Sequence, residues 1–235
     1  MTANTFFSFF SDRFVINLDT DKDRLKSFYN RLNHYGISNV SRFPAVAHKE
    51  GVKGCGFSVL NIIKEAKRRE LDSVFVFEDD AEFIDFDAEI LDQVAIYLKV
   101  NKWELVRLSY TYRKDSKKLK EVPDLIISRQ HNNLVEFKKH PHLGILSNFA
   151  AIGYHSSTFD RIINSFKPET CSNIDMWMPT NFDSLCVTPQ MVIQDEPDKP
   201  VTLPSGEKLF KRDMHLLQRK RLHETFATDF KNPLG

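Results

Sequence analysis

The stretch Val74–Asp80 reads VFVFEDD: four apolar residues without a polar break, then three carboxylic acids in a row. A run that is apolar on both of its alternating sides belongs to a strand covered on both faces, as in a mainly parallel sheet flanked by helices. Outward from it, short apolar runs alternate with helix-spaced stripes. Phe14–Leu18 (FVINL) is a second strand, ending at Asp19. Leu25, Phe28, Tyr29, Leu32 and Tyr35 recur at steps of three and four, in a stripe opened by Thr20 or Asp21 and closed by Gly36. Arg42–Val46 reads as another strand. Ser58 is placed to cap a helix whose apolar face is Val59, Ile62, Ile63 and Ala66. Ile90, Leu91, Val94, Tyr97 and Leu98 mark a helix after the acids, and Glu104–Tyr110 and Asn148–Tyr154 are further strands. Leu125–Ser128 and Leu134–Phe137 form a small hairpin, and Ser157 with Asp160 opens a helix bearing Phe159, Ile162, Ile163 and Phe166. The expected fold is an α/β sandwich around a central, mainly parallel sheet.

Composition narrows the function classes. The 235 residues are 41% hydrophobic and 28% charged, with twenty Phe against eight Gly, as a large aromatic core without long linkers requires. A net charge of +1 excludes bulk electrostatic attraction to nucleic acid. Three cysteines without regular spacing (Cys55, Cys171 and Cys186) predict free thiols. The apolar start (FFSFF, within Met1–Phe10) lacks a basic leader and is expected to run into the first strand. The longest mainly apolar stretch, Gly144–Tyr154, is too short to span a bilayer. A cytoplasmic protein is expected. Residues 1–206 form one domain and 207–235 a basic helical extension. There Phe210, Met214 and Leu217 line up beside Lys211, Arg212, Arg219, Lys220 and Arg221. That stripe suits either contact with a membrane surface or packing against the domain.

Three features carry chemistry. Glu78-Asp79-Asp80 places mutually repelling charges at the end of a buried strand, where oxygen ligands suit Mg²⁺ or Mn²⁺. A solvated acidic turn is the alternative. Alternation along a strand would point Glu78 and Asp80 one way and Asp79 the other. Gly51-Val-Lys-Gly-Cys-Gly-Phe-Ser58 leads into a helix, either as a phosphate cradle or as a tight turn with a cap. Asp19 ends the first strand, and Arg24 sits in the first turn of the next helix, where the macrodipole disfavours a cation. A bound phosphate or a paired carboxylate would account for Arg24.

The order of these pieces resembles glycosyltransferase family 25, the family of lipooligosaccharide and collagen β-galactosyltransferases. The matching elements are strand–Asp19–x₄–Arg24–helix, Arg42-Phe-Pro-Ala-Val46, Gly51-x-x-Gly54-Cys55-x-x-Ser58 and strand–Glu78-Asp79-Asp80. Asn173-Ile-Asp175, Pro189 and Gln194 extend the likeness downstream. Where the family has His after the motif serine, this chain has Val59. The resemblance implies a GT-A-type fold, a UDP-sugar donor (UDP-galactose first) and inversion at the anomeric carbon. It places Asp19, Arg24, Ala45, Val46, Gly54 and Ser58 around the donor, and Asp80 with Glu78 or Asp79 at Mn²⁺ or Mg²⁺. Asp175, beside Trp177, is the candidate base for the acceptor hydroxyl, with a helix cap or loop acid as its alternative role. The acceptor would be a glycan or glycolipid, as in lipopolysaccharide synthesis. A metal-dependent nucleotidyl- or phosphotransferase, and a carbohydrate-binding relative without catalysis, are the competing functions.

Overall fold

The computed structural model describes residues 4–112, 127–131, 133–140, 146–171, 173–195, 200–202 and 208–210, with positions 216 and 220. Residues 113–126, with Leu125 and Ile126 of the expected hairpin, and most of the 207–235 segment, including Met214 and Leu217, lie outside the described residues.

The chain runs α1 (Asn4–Phe9), β1 (Asp12–Asn17), α2 (Lys22–His34), β2 (Ser41–Pro44), α3 (Gly51–Arg68), β3 (Ser73–Glu78), β4 (Ala81–Phe83) and α4 (Ala88–Val100). There follow β5 (Leu105–Arg107), β6 (Thr111–Tyr112), β7 (Ile127–His131), β8 (Leu134–Phe137), β9 (Leu146–Ser147) and β10 (Ala151–His155). A 3₁₀ turn (Ser156–Thr158) leads into α5 (Phe159–Ser165), α6 (Ile174–Asn181), β11 (Ser184–Val187) and β12 (Val192–Gln194). Two short strands, β13 (Pro200–Thr202) and β14 (Lys208–Phe210), pair antiparallel, so the expected tail helix from Lys208 is extended at its start.

Eight strands form the central sheet in the order β2-β1-β3-β10-β5-β11-β8-β7. The fold is mixed α/β. Most of its strands share one direction, as the continuous apolar runs predict, but β10 and β8 are reversed. Nothing in an apolar run such as that of β10 encodes direction.

The VFVF pattern is explained by the two layers it separates. Phe75 and Phe77 join Val15, Val106, Ala151 and Leu185 in a core under α1, α2 and α4. Val74 and Val76 join Phe14, Ile16, Leu105, Ile152 and Tyr154 in a second core under α3, α5 and α6. The FFSFF segment is not a lead into a strand: it is α1, which buries Phe6, Phe7 and Phe10 beneath the sheet. Each such ring contributes roughly 1.5–3 kcal/mol of burial. Phe10 fits against Gly153 of β10, where a Cβ would stand 2.5 Å from its ring.

Local signals held in part. Gly36 closes α2 with φ 67°, and Asp21 precedes it, as the stripe predicts. The expected capping box at Ser157 is instead a cap by His155, whose Nδ1 accepts from the Ser157 N–H at 3.2 Å. All three cysteines are free. Among the described residues no helix is long and apolar enough to cross a membrane.

Candidate active site

Three parallel strands end side by side and set the site. Ile16 of β1 pairs with Glu78 of β3, and Asn17 pairs with Pro44 of β2. Leu18, Ala45 and the Glu78-Asp79-Asp80 triplet therefore emerge along one sheet edge, where crevices of open α/β sheets form. α3 opens at the same edge from Glu50, with no side chain capping it. α6 completes the wall: Asn173 Oδ1 accepts from the Asp175 N–H at 2.8 Å, fixing Asp175 in the first helical turn.

These elements enclose a cavity of about 430 Å³. Its lining includes Asp21, Arg24, Ala45, Val46 and Gly54. Glu78, Asp79, Asp80 and Asp175 line it too, so acids some hundred residues apart in sequence meet at one opening. The triplet is a buried turn beside a cavity, unlike a solvated acidic turn: Asp79 and Asp80 are both buried.

The strand alternation expected across the triplet stops at Glu78, where β3 ends and a turn begins. Glu78 Oε1 accepts from the Cys55 thiol at 3.1 Å, and its Oε2 accepts from Gln194 Nε2 at 2.6 Å. Asp79 Oδ2 accepts from Asn17 Nδ2 at 2.7 Å. Arg24 Nη2 approaches both neighbours, at 2.5 Å from Asp79 Oδ1 and 3.6 Å from Asp80 Oδ2. Its place in the first turn of α2 is thus accounted for by paired carboxylates. Burial raises the Asp79 pKa, and the Asn17 hydrogen bond and the Arg24 charge oppose that rise.

Other expected residues sit elsewhere. Asp19 is 84% exposed and paired with Arg42, outside the cavity lining. Ser58 does not cap a helix. α3 begins seven residues earlier, and Ser58 is buried within it, accepting from the Val46 N–H at 2.8 Å and donating to the Gly54 carbonyl at 2.7 Å. Gly54 is required by close approach: a Cβ there would stand 2.5 Å from the Val46 carbonyl oxygen. The glycine-rich motif is therefore a clamp between α3 and the chain after β2, and only its start, Gly51 and Val52 with Gly54 and Cys55, borders the cavity. Val59 is buried in the apolar core and does not line the cavity. Trp177 packs on Phe166 and Phe182 and does not line the cavity.

Two buried polar residues, Asn17 lining the cavity and Arg107 outside its lining, have no part in the expectations from sequence. Asn17, 2% exposed, donates to the Asp21 carbonyl and to Asp79 and accepts from Arg42 Nε, tying β1, α2, β2 and β3 together. A polar residue inside the otherwise apolar FVINL run was the available signal. Arg107 is fully buried at the end of β5, donating to Ser184 Oγ and lying 4.2 Å over the Phe149 ring. Burial lowers its pKa, against the nearby Cys186, Tyr154 and Asp175. A charge inside the otherwise apolar Leu105–Leu108 run was the available signal for Arg107.

Among the described residues no three His, Cys, Asp or Glu side chains converge on a single point that an ion would occupy. The donor set nevertheless fits a divalent cation that arrives with a ligand. Mg²⁺-type sites use one or two carboxylates and complete their shell with phosphate oxygens and water. Among the described residues, five acidic side chains line the cavity against the one guanidinium of Arg24. A diphosphate would be repelled there unless a cation came with it.

No protein-family model and no curated protein matches the chain. Solved structures that resemble it include a protein from STIV, at 10% identity over 84% of this chain and 92% of that one, TM-score 0.45. A glycosyltransferase involved in the glycosylation of the major capsid of PBCV-1 aligns at 7% identity over 69% and 70%, TM-score 0.39. A UDP-glucose pyrophosphorylase complexed with UDP-glucose aligns at 9% identity over 91% and 81%, TM-score 0.44. Likeness this distant carries no functional weight.

Proposed function

We propose that the chain is a metal-dependent, inverting glycosyltransferase that moves a sugar from a UDP-sugar to a glycan or glycolipid acceptor. The observation that carries this is the meeting of Asp175 with Glu78, Asp79 and Asp80 around one cavity, beside the uncapped start of α3. The motif order shared with glycosyltransferase family 25 supports it and makes UDP-galactose the first donor to test.

In this reading Asp80, with Glu78 or Asp79, holds Mn²⁺ or Mg²⁺. When bound, such an ion neutralises charge developing on a departing diphosphate. Ala45 and Val46 border the nucleoside end of the cavity. The free N–H groups and positive dipole end at Gly51 and Val52 favour a phosphate. Cys55 and Gln194 hold Glu78 by donating to both of its oxygens, which keeps its carboxylate fixed. Asp175 takes the proton of the acceptor hydroxyl as that oxygen bonds to the anomeric carbon from the face opposite the diphosphate. The carbon–oxygen bond to the diphosphate breaks, and its electron pair leaves with UDP.

The test is a panel of UDP-sugars, with nucleoside triphosphates in parallel, assayed for Mn²⁺-dependent hydrolysis and for UDP-dependent thermal stabilisation. Ligand at a hundredfold excess over Kd adds about 2.7 kcal/mol to the parent's stability. Asp80→Asn should lose turnover and nearly all of that stabilisation while remaining folded. Equal stabilisation of parent and Asp80→Asn refutes the metal assignment, and turnover of triphosphates alone moves the protein to the nucleotidyltransferases.

A further inference from the structure

Arg24 brings a positive charge to the place where the acids call for a cation. Its guanidinium reaches three carboxylates: Asp79 at 2.5 Å, Asp80 at 3.6 Å and Asp21 at 3.9 Å. The side chains of Asp79 and Asp80 are 9% and 4% exposed, whereas that of Arg24 is 41% exposed. We propose that Arg24 is a built-in counter-ion that closes the Asp79–Asp80 pair to free divalent cations and yields Asp80 when a cation arrives with a diphosphate. The inference rests on the proposed donor site and adds an order of binding to it.

Three physical points lead there. Two adjacent buried carboxylates need a compensating charge, since burial alone disfavours their ionised forms. A guanidinium and a divalent ion cannot share Asp80 Oδ2, because like charges at that separation repel strongly in a partly dry cavity. The exposed half of the Arg24 side chain leaves it a way out, on a flexible stem rising from the first turn of α2. A free cation at Asp80 pushes the guanidinium back onto Asp79 and Asp21 and gives it no anion in exchange for the contact it loses. A diphosphate entering with the cation offers the displaced guanidinium a new anion on the cavity side. Displacement is therefore easier with nucleotide present, and cation and nucleotide must strengthen each other's binding by the same factor.

The experiment titrates Mn²⁺ into the full chain, with and without UDP, and reads free Mn²⁺ by electron paramagnetic resonance. The parent should bind Mn²⁺ alone weakly, and UDP should tighten that binding on the order of tenfold or more. Arg24→Gln should bind Mn²⁺ alone on the order of tenfold more tightly than the parent, with most of the UDP effect gone. Arg24→Lys keeps the charge but loses the fork that bridges two carboxylates, so it should fall between the two, and it guards against misfolding of Arg24→Gln. If both variants match the parent in binding Mn²⁺ alone while UDP still tightens it, the counter-ion role is overturned and the donor site stands. If the parent binds no Mn²⁺ even with UDP, the donor site and the counter-ion role fall together.

Discussion

Replacing Gly54 with alanine tests whether the glycine-rich motif is a clamp or a ligand loop. The added Cβ would meet the Val46 carbonyl oxygen at 2.5 Å and the His48 Cβ at 3.4 Å. The first contact is with backbone, so no rotamer change relieves it, and such overpacking costs about 1–3 kcal/mol. Moving Val46 away also stretches the 2.8 Å bond from its N–H to Ser58 Oγ, a bond worth about 1 kcal/mol. Against this stands the gain of about 1 kcal/mol from alanine over glycine inside a helix. The net expectation is a loss of about 2 kcal/mol, or about 4–8 °C in the unfolding midpoint of a chain this long. Gly51→Ala is the control, because nothing lies within 4 Å of a Cβ there, and its midpoint should stay level or rise. Differential scanning calorimetry of the three proteins gives the comparison. The same scans with Mn²⁺ and UDP report the cavity, whose Ala45–Val46 wall shifts in Gly54→Ala only. A Gly54→Ala midpoint equal to or above the parent's would refute the clamp.

Two further expectations concern titrating groups. Burial lowers the His155 pKa below the ordinary imidazole value, against an opposing pull from Asp72. The neutral ring accepts from the Ser157 N–H, so the cap is intact above pH 6.5 and is lost as pH falls below it. His155→Asn keeps a capping oxygen worth about 1 kcal/mol and should flatten that slope in urea unfolding between pH 7 and 5; an unchanged slope rules the cap out as its source. Burial pushes the Cys186 thiol up to about 12, and burial together with Glu78 holds Cys55 well above its usual value. Iodoacetamide at pH 8 should therefore label half-buried Cys171 alone in the native protein and all three cysteines after denaturation. Mass spectrometry of the modified peptides decides it, and rapid native labelling of Cys55 would contradict the Glu78 contact.

The layers of the fold were legible because hydrophobic periodicity is local. VFVF, FVINL and the stripes of α2, α3 and α4 each declare which faces are covered. The acidic end of β3 was legible for the same reason, as charges on a buried strand are conspicuous. What periodicity cannot carry is pairing between distant residues. The reversal of β10, the return of Gln194 to Glu78 and the burial of Arg107 are set by which strands become neighbours. The start of α3 was misplaced because glycines at 51, 54 and 56 read as a turn, while the helix tolerates them where Val46 and Phe166 press close. The N-terminal phenylalanines were equally ambiguous. Dense apolar residues without a period fit strand and helix alike, and only the floor formed by Phe75 and Phe77 selects the helix.

The notch at Gly153 ties the two ends of folding together. α1 leaves the ribosome about 140 residues before the strand whose missing side chain makes room for Phe10. Until β10 slots between β3 and β5, the Phe10 ring lacks its wall at Gly153, although Phe75 already floors it. The seat of Phe10 is thus complete only once β10 lies between β3 and β5.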